Sequence, residues 1–383
     1  MKRPNWLLFI TVGFLVKIYA FLKGQRIKRT VRIKGPSIVL SNHTSFYDFI
    51  YTSAAIYPYR VNYMAASKMF YDPVMGFFLR LVRAFPKALF QSDPVATLNT
   101  FRLLKKKGIV SIFPEGQISP IGVTQEINFS IAKLLKKAKV DVYLVKHKGA
   151  YLVNPPWNKK TFHGRVETTV DLLLSKSDLA SLSESLIYEK VVDGLAFNTS
   201  EYNESKKHKY HKNTIENLES VIYLCPNCGY EQLKSNPHHL VCESCGNEME
   251  YDSIGQLGNV RIDLLYRAQE KKMEDIILNS PEFQLKSNVI LESYNNNLLE
   301  VVGKGELTLS KAGYVYEGTM HEEAVHLEFD PSIIPTLPSD LGRNIQIYQG
   351  YIIYQFVFED VNLPTKFVIA GEIIHKLSIS DKL

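Results

Sequence analysis

The chain has 383 residues, 45% apolar and 22% charged, which excludes a disordered or low-complexity polypeptide and suits two or three folded domains. Its formal charge of +6 hides an asymmetry: residues 1–171 carry 27 Lys and Arg against 8 Asp and Glu, the remainder 18 against 31. A basic front half with an apolar start suits an anionic membrane surface better than nucleic acid, a merely solvated basic face being the plainer alternative.

Lys2 and Arg3 precede an apolar run over 6–16; Lys17 interrupts it, 18–22 continue it, and Lys23, Arg26, Lys28 and Arg29 follow. The run barely reaches bilayer-spanning length and carries a central lysine. No small-residue cleavage site of a signal peptide is evident. Residues 1–30 therefore read as a membrane-anchoring helix that inserts in or lies on the bilayer, its basic flanks toward anionic headgroups.

From 31 to about 170 strand-like and helix-like segments alternate. The predicted strands are 31–34, 37–41, 61–66, 109–113, 142–146 and 166–171. The predicted helices are 45–56, 73–83, 94–107 and 127–139. Such alternation implies an α/β fold, a mostly parallel sheet with covering helices. Lysine clusters at 105–107 and 136–137 close two of the helices, where cations suit the dipole.

The run 37–40 ends in Ser41-Asn42-His43-Thr44-Ser45-Phe46-Tyr47-Asp48. A histidine at a strand end of an α/β sheet stands where ligands bind, and a carboxylate beside it fixes its tautomer. The same residues also fit a capping box, with Ser45 as helix cap and Asp48 closing the first turn. A second strand-like run ends in Phe113-Pro114-Glu115-Gly116, whose proline and glycine set a turn that aims the glutamate.

The two motifs, in this order and separation, resemble the histidine box and the Phe-Pro-Glu-Gly box of the glycerolipid acyltransferases, the family that includes 1-acylglycerol-3-phosphate acyltransferases. The resemblance covers roughly the first half of the chain. It implies that His43 is the general base in direct acyl transfer, Asp48 its orienting partner, and Glu115 a residue that positions the acceptor. Asn42 would set the loop, Gly116 would let the backbone approach the substrate, and Ser119 and Lys87 would line the acceptor site. Acyl-CoA or acyl carrier protein would be the donor. Two departures stand out. The family's arginine after the second box is Ile118 here, and the arginine of its middle motif is missing from the stretch Phe85-Pro86-Lys87. Arginine grips phosphate bidentately, so an acceptor other than simple lysophosphatidate is expected, with Lys87 or Arg83 as partial substitutes. The stretch Lys146-His147-Lys148-Gly149 could touch donor phosphates, but reads first as a solvated basic loop.

Residues 172–188 are helix-compatible, and 201–213 read as a polar linker with a basic run over 206–212. All four cysteines fall in two knuckles, Cys225-x-x-Cys228-Gly and Cys242-x-x-Cys245-Gly, thirteen residues apart. That spacing points to a closed four-cysteine structural zinc site rather than two disulfides. The tail begins with a helix over 263–278. Strand-like runs follow at 288–293, 298–302, 305–309, 314–317, 325–328, 345–347, 351–358 and 366–369, whose Gly, Asn and Pro punctuation suggests an antiparallel sheet or a small barrel, with a pleckstrin-homology-like or similar β module as one guess from the pattern. Its acidic balance argues for a protein partner or for packing on the front domain.

The expected organisation is a helix over 1–30, an acyltransferase domain over 31–213, a zinc ribbon over 214–250 and a β-rich domain over 251–383. The expected activity is a membrane-associated acyl transfer on the cytoplasmic side, acting on membrane lipids and not on nucleic acid. The competing expectations are a degenerate lipid binder whose tail recruits a partner, and, more remotely, a hydrolase using Ser45.

Overall fold

The computed structural model describes residues 1–211, 214–295, 298–350 and 352–380. Two compact units emerge: 1–156 with 160–213 and 253–255, and 157–159 with 214–252 and 256–383.

The first unit runs α1 (Trp6–Leu22), β1 (Gln25–Arg29), β2 (Ser37–Ser41), α2 (Asp48–Ile56), β3 (Val61–Ala66), α3 (Pro73–Leu81), β4 (Phe85–Lys87), α4 (Pro94–Lys105) and β5 (Ile109–Ile112). It continues through α5 (Ser130–Ala138), β6 (Asp141–Lys148), α6 (Ala150–Val153), β7 (Val166–Leu174), α7 (Lys176–Ser181), α8 (Glu184–Leu195) and α9 (Thr199–Lys206). Seven strands form one sheet in the order β1-β7-β6-β2-β5-β3-β4. All neighbours are parallel except β6 with β7. The central β2 and β5 are buried along their whole length, because helices cover both faces of the sheet. Ile38, Leu40, Val110 and Ile112 pack into a core with α4, α5 and α8, while Val39 and Val145 face a core with the end of α2. Asn5, Asp72 and Asp93 cap α1, α3 and α4 by accepting a backbone N–H, and Pro73 and Pro94 open the last two.

Several expectations need correction. Residues 31–34 form no strand; the edge strand is β1, whose sequence Gln-Arg-Ile-Lys-Arg hides it. Edge strands carry charge to discourage further pairing, so their hydrophobic signal is weak. The apolar residues 172–174 extend β7, and two helices replace the single one expected over 172–188. The supposed linker holds α9, capped by Asn198; Lys212 and Asn213 lie outside the described residues. Helix α2 starts at Asp48, so Ser45 is not its cap.

The second unit starts with a three-stranded ribbon, β8 (Leu233–Ser235), β9 (His239–Cys242) and β10 (Glu248–Glu250). A hairpin of β11 (Gln256–Leu257) and β12 (Val260–Arg261) leads into α10 (Ile262–Asn279). Then come β13 (Gln284–Asn295), β14 (Leu298–Ser310), β15 (Gly313–Met320), β16 (Glu323–Phe329), β17 (Ser339–Asp340), β18 (Asn344–Gln349), β19 (Ile352–Phe358) and α11 (Leu363–Ser380). These seven strands form an antiparallel sheet in the order β16-β15-β14-β13-β19-β18-β17. The long β13 pairs with both its successor and the last strand, with a register shift between Leu291 and Glu292. Residues 366–369, expected as a strand, lie inside α11. The runs expected at 298–302 and 305–309 are one strand, and Tyr351 lies outside the described residues.

Candidate active site

Strand β2 delivers Asn42 and His43 to the carboxyl edge of the sheet. The Asn42 side chain mimics a strand: its Nδ2 donates to the carbonyl of His147 at 3.0 Å, and its Oδ1 accepts from the His147 N–H at 2.8 Å. Asp48, in the first turn of α2, turns back on the loop. Its Oδ2 accepts from the N–H of Thr44 at 2.6 Å and of Ser45 at 2.8 Å, and meets His43 Nδ1 at 3.2 Å. Since that oxygen accepts from both amides, Nδ1 is assigned the proton and Nε2 keeps its lone pair. Asp48 is fully buried, whereas the His43 side chain stays 20% exposed. Phe113 stacks on the imidazole with ring centres 4.4 Å apart.

The second motif holds the same histidine by its backbone. Glu115 Oε1 accepts from the His43 N–H at 2.7 Å, Oε2 accepts from the Gln125 N–H at 2.8 Å, and the Ser119 N–H donates to the His43 carbonyl at 2.9 Å. Ser119 Oγ accepts in turn from the Val123 N–H at 3.0 Å. Burial pushes the Glu115 carboxyl from an ordinary 4.5 up to about 8, against the pull of the Gln125 and His43 amides. A carboxyl raised on folding adds stability that is full below its unfolded pKa and lost as pH rises through about 8. Glu115→Gln lacks this titration and sets an NH2 against one of the two amides. Its deficit in melting temperature relative to the parent should therefore narrow by a few degrees between about pH 5 and about pH 9. A deficit constant across that range, in parallel thermal melts, would contradict the raised carboxyl.

Residues 23–147 match the Acyltransferase family model, an interval that contains both motifs. The 1-acyl-sn-glycerol-3-phosphate acyltransferase of Bacillus subtilis is 33% identical over 79 residues, 21% of this chain and 40% of the relative. Over this interval the front unit is similar to the glycerolipid acyltransferases. The chain thus spans about 40% of the length of that curated relative. The crystal structure of the 1-acyl-sn-glycerophosphate acyltransferase from Thermotoga maritima aligns with a TM-score of 0.42 at 18% identity, over 52% of this chain and 79% of that one.

In this front unit His43, Asp48, Glu115 and Ser119 meet in one bonded cluster, while Asn42, next to His43 in sequence, bonds instead to the His147 backbone. Glu115 and Ser119 spend their polar atoms on backbone and Gln125, rather than on an open acceptor site. Gly116 is required by its φ of +75°; a Cβ there would make only ordinary contact with the Phe90 ring. Lys87 is half-buried and donates to the carbonyls of Ala88 and Gln91, and burial lowers its pKa. Ser45 Oγ donates to Asn154 and accepts from the Tyr47 N–H, which leaves the Ser45 nucleophile without support.

His147 reverses the expectation of a basic loop, for it is wholly buried in β6. Its Nε2 lies 2.8 Å from Thr52 Oγ1 and its Nδ1 3.0 Å from Thr168 Oγ1, which also accepts from Gln25 Nε2 at 2.8 Å. Burial pulls this imidazole down to about 4, so it is neutral at physiological pH. It fixes the strand on which Asn42 leans. The period of two, which sets His147 on one face with Tyr143 and Val145, is the sequence signal that could have found it.

In the second unit the four cysteines are free thiols whose sulfurs lie within 4.8 Å of one another. Cys225 and Cys245 are 3.7 Å apart, as are Cys228 and Cys242. A tetrahedral site with zinc–sulfur bonds of about 2.3 Å has sulfur–sulfur edges of about 3.8 Å, so the donor set fits one metal ion. Gly229 and Gly246, at φ +72° and +70°, close the knuckles with bonds back to the carbonyls of Cys225 and Cys242.

Proposed function

We propose that this protein transfers a fatty acyl group from a thioester, acyl-CoA or acyl carrier protein, to a lipid hydroxyl at a membrane surface. The observation that carries the reading is the His43–Asp48 pair, with Nδ1 tied to a buried carboxylate and Nε2 left for chemistry on a partly exposed ring. Nε2 takes the proton of the acceptor hydroxyl as its oxygen attacks the thioester carbonyl. A carbon–oxygen bond forms, the carbon–sulfur bond breaks, and the departing thiolate recovers the proton from the imidazolium. Asp48 orients the ring and balances its transient charge. Glu115 and Ser119 act as positioning residues through the backbone of His43. With Ile118 where the family has arginine, the acceptor is a lysophospholipid with a larger headgroup, or a glycolipid or other alcohol. The four cysteines hold a structural zinc ion, since four thiolates leave no open coordination position.

Membrane contact is supported by the apolar residues that α1 and α3 expose, among them Leu7, Phe14, Leu15, Phe77 and Phe78. Phe46 and Phe49 extend this apolar exposure beside the histidine loop. Among the described residues no helix is long and apolar enough to cross a bilayer. A helix lying in the interface fits both facts.

The test is transfer of labelled acyl groups, from acyl-CoA and from acyl carrier protein, to a panel of lysolipids and alcohols in detergent. Transfer to at least one acceptor is expected, and none from either donor would overturn the reading. Asp48→Asn should lower kcat by roughly 10^2- to 10^4-fold with little change in KM, because an amide cannot serve the two backbone donors and the imidazole as a carboxylate does. A loss of less than about threefold would remove Asp48 from the mechanism.

A further inference from the structure

At the opposite edge of the front sheet lies a cleft of about 300 Å³ that the acyl-transfer reading does not use. Arg3, Trp6, Tyr59, Arg60 and Lys107 line it, together with Gly35 and Ile109. Gly35, Arg60 and Lys107 stand just before β2, β3 and β5, which run parallel, so the cleft opens at their amino ends. His43 and Glu115 stand beyond the carboxyl ends of β2 and β5, which four to five residues of strand set roughly 15 Å away.

Three cations share this cleft, and among the described residues none of them has a carboxylate within ion-pairing distance. Arg3 Nε is buried and lacks a hydrogen-bond partner. One Arg60 nitrogen donates to the Pro4 carbonyl at 3.2 Å, which pins the chain before α1 against the sheet and holds Arg3 beside it. Burial and the nearby Arg60 together lower the Arg3 pKa, so the two guanidinium groups are close enough to repel. Like charges gathered this way, with an unmet N–H, are relieved by an anion that accepts from both forks, and phosphate matches guanidinium geometry. Trp6 lines the same cleft and is 61% exposed at the start of α1, a residue type that prefers the bilayer interface.

We infer that the cleft formed by Arg3, Arg60 and Lys107 binds the phosphate of an anionic phospholipid headgroup, as a site separate from the catalytic histidine. The inference rests on the reading that the apolar face of α1 meets the bilayer. With α1 lying in the interface, its basic start holds a resident lipid at one sheet edge, while Tyr19, near its end, bonds to Tyr47 beside the histidine loop. Lipid charge would thereby fix the orientation in which His43 meets its substrates.

The test is co-sedimentation of the full-length protein with phosphatidylcholine vesicles, with and without phosphatidylglycerol. Thermal melts in millimolar inorganic phosphate run beside it. The variant is Arg3→Gln with Lys107→Asn, asparagine being tolerant of the positive φ at 107. The control is Lys133→Gln with Lys137→Gln, which removes the same charge from α5. Each basic side chain at an anionic surface contributes about fivefold, so the first pair should lose roughly tenfold or more of the preference for phosphatidylglycerol. The α5 pair should keep that preference, and binding to phosphatidylcholine alone should not change. An equal loss in both pairs would overturn the site in favour of diffuse charge. Stabilisation by free phosphate that the first pair abolishes, without any vesicle preference, would overturn the lipid assignment. Wild-type protein that binds neither vesicle would sink the membrane reading itself; binding both equally, with no stabilisation by phosphate, would sink only the cleft.

Discussion

Replacing His43 with alanine should cut the proposed acyl transfer roughly a thousandfold or more and leave the front unit folded. The loss is large because no other side chain in the bonded cluster is set to take the hydroxyl proton. Asp48 is fully buried, and Glu115 is held by two amides. The fold should survive because what anchors the loop at residue 43 is main chain: its N–H meets Glu115 and its carbonyl meets the Ser119 N–H, and alanine keeps both. Asp48 keeps its bonds to Thr44 and Ser45. Truncation removes one bond to Asp48 and the stacking on Phe113, a cost of about 1–3 kcal/mol. Steady-state kinetics beside a thermal melt separates the two effects. Activity within tenfold of the parent, at an unchanged melt, would dismiss His43 as the base.

The sequence reveals most plainly what burial or local spacing encodes. Strands β2 and β5 read as uninterrupted apolar runs because a parallel sheet is covered on both faces. His43 and Asp48 are five residues apart, so one turn brings them together. The cysteine knuckles are legible for the same reason. Other features depend on partners that sequence does not mark. Glu115 and Asn42 act on backbone groups, Asn42 across 105 residues, and any residue type can supply an amide. Strand β1 is edge and polar, while the apolar residues 172–174 suit a strand and a helix alike. Residues 366–369 look like a strand because Phe, Val and Ile favour one, but in α11 Phe367 and Ile369 turn into the core.

Removing the proposed zinc ion should be the most damaging change available to the second unit. The ribbon of β8, β9 and β10 has strands of only three or four residues, and its buried apolar side chains are few: Leu233, Leu240 and Met249 beside Cys225 and Cys242. So small a core supplies little stability alone, whereas a four-thiolate zinc site contributes on the order of 10 kcal/mol. One zinc per chain is expected by elemental analysis. Cys225→Ser should reduce it well below one and melt the ribbon. A strong chelator should do the same to the parent protein, with four thiols becoming reactive toward a maleimide. The buried position of Cys225 makes the substitution disruptive by itself, so the chelator arm isolates the metal. Recovery of the original melt on adding zinc back, but not magnesium, would follow from the preference of thiolates for the softer ion. A chain that carries no metal as isolated, and whose melt chelator leaves unmoved, would mean that the knuckles are held by their turns and strands alone.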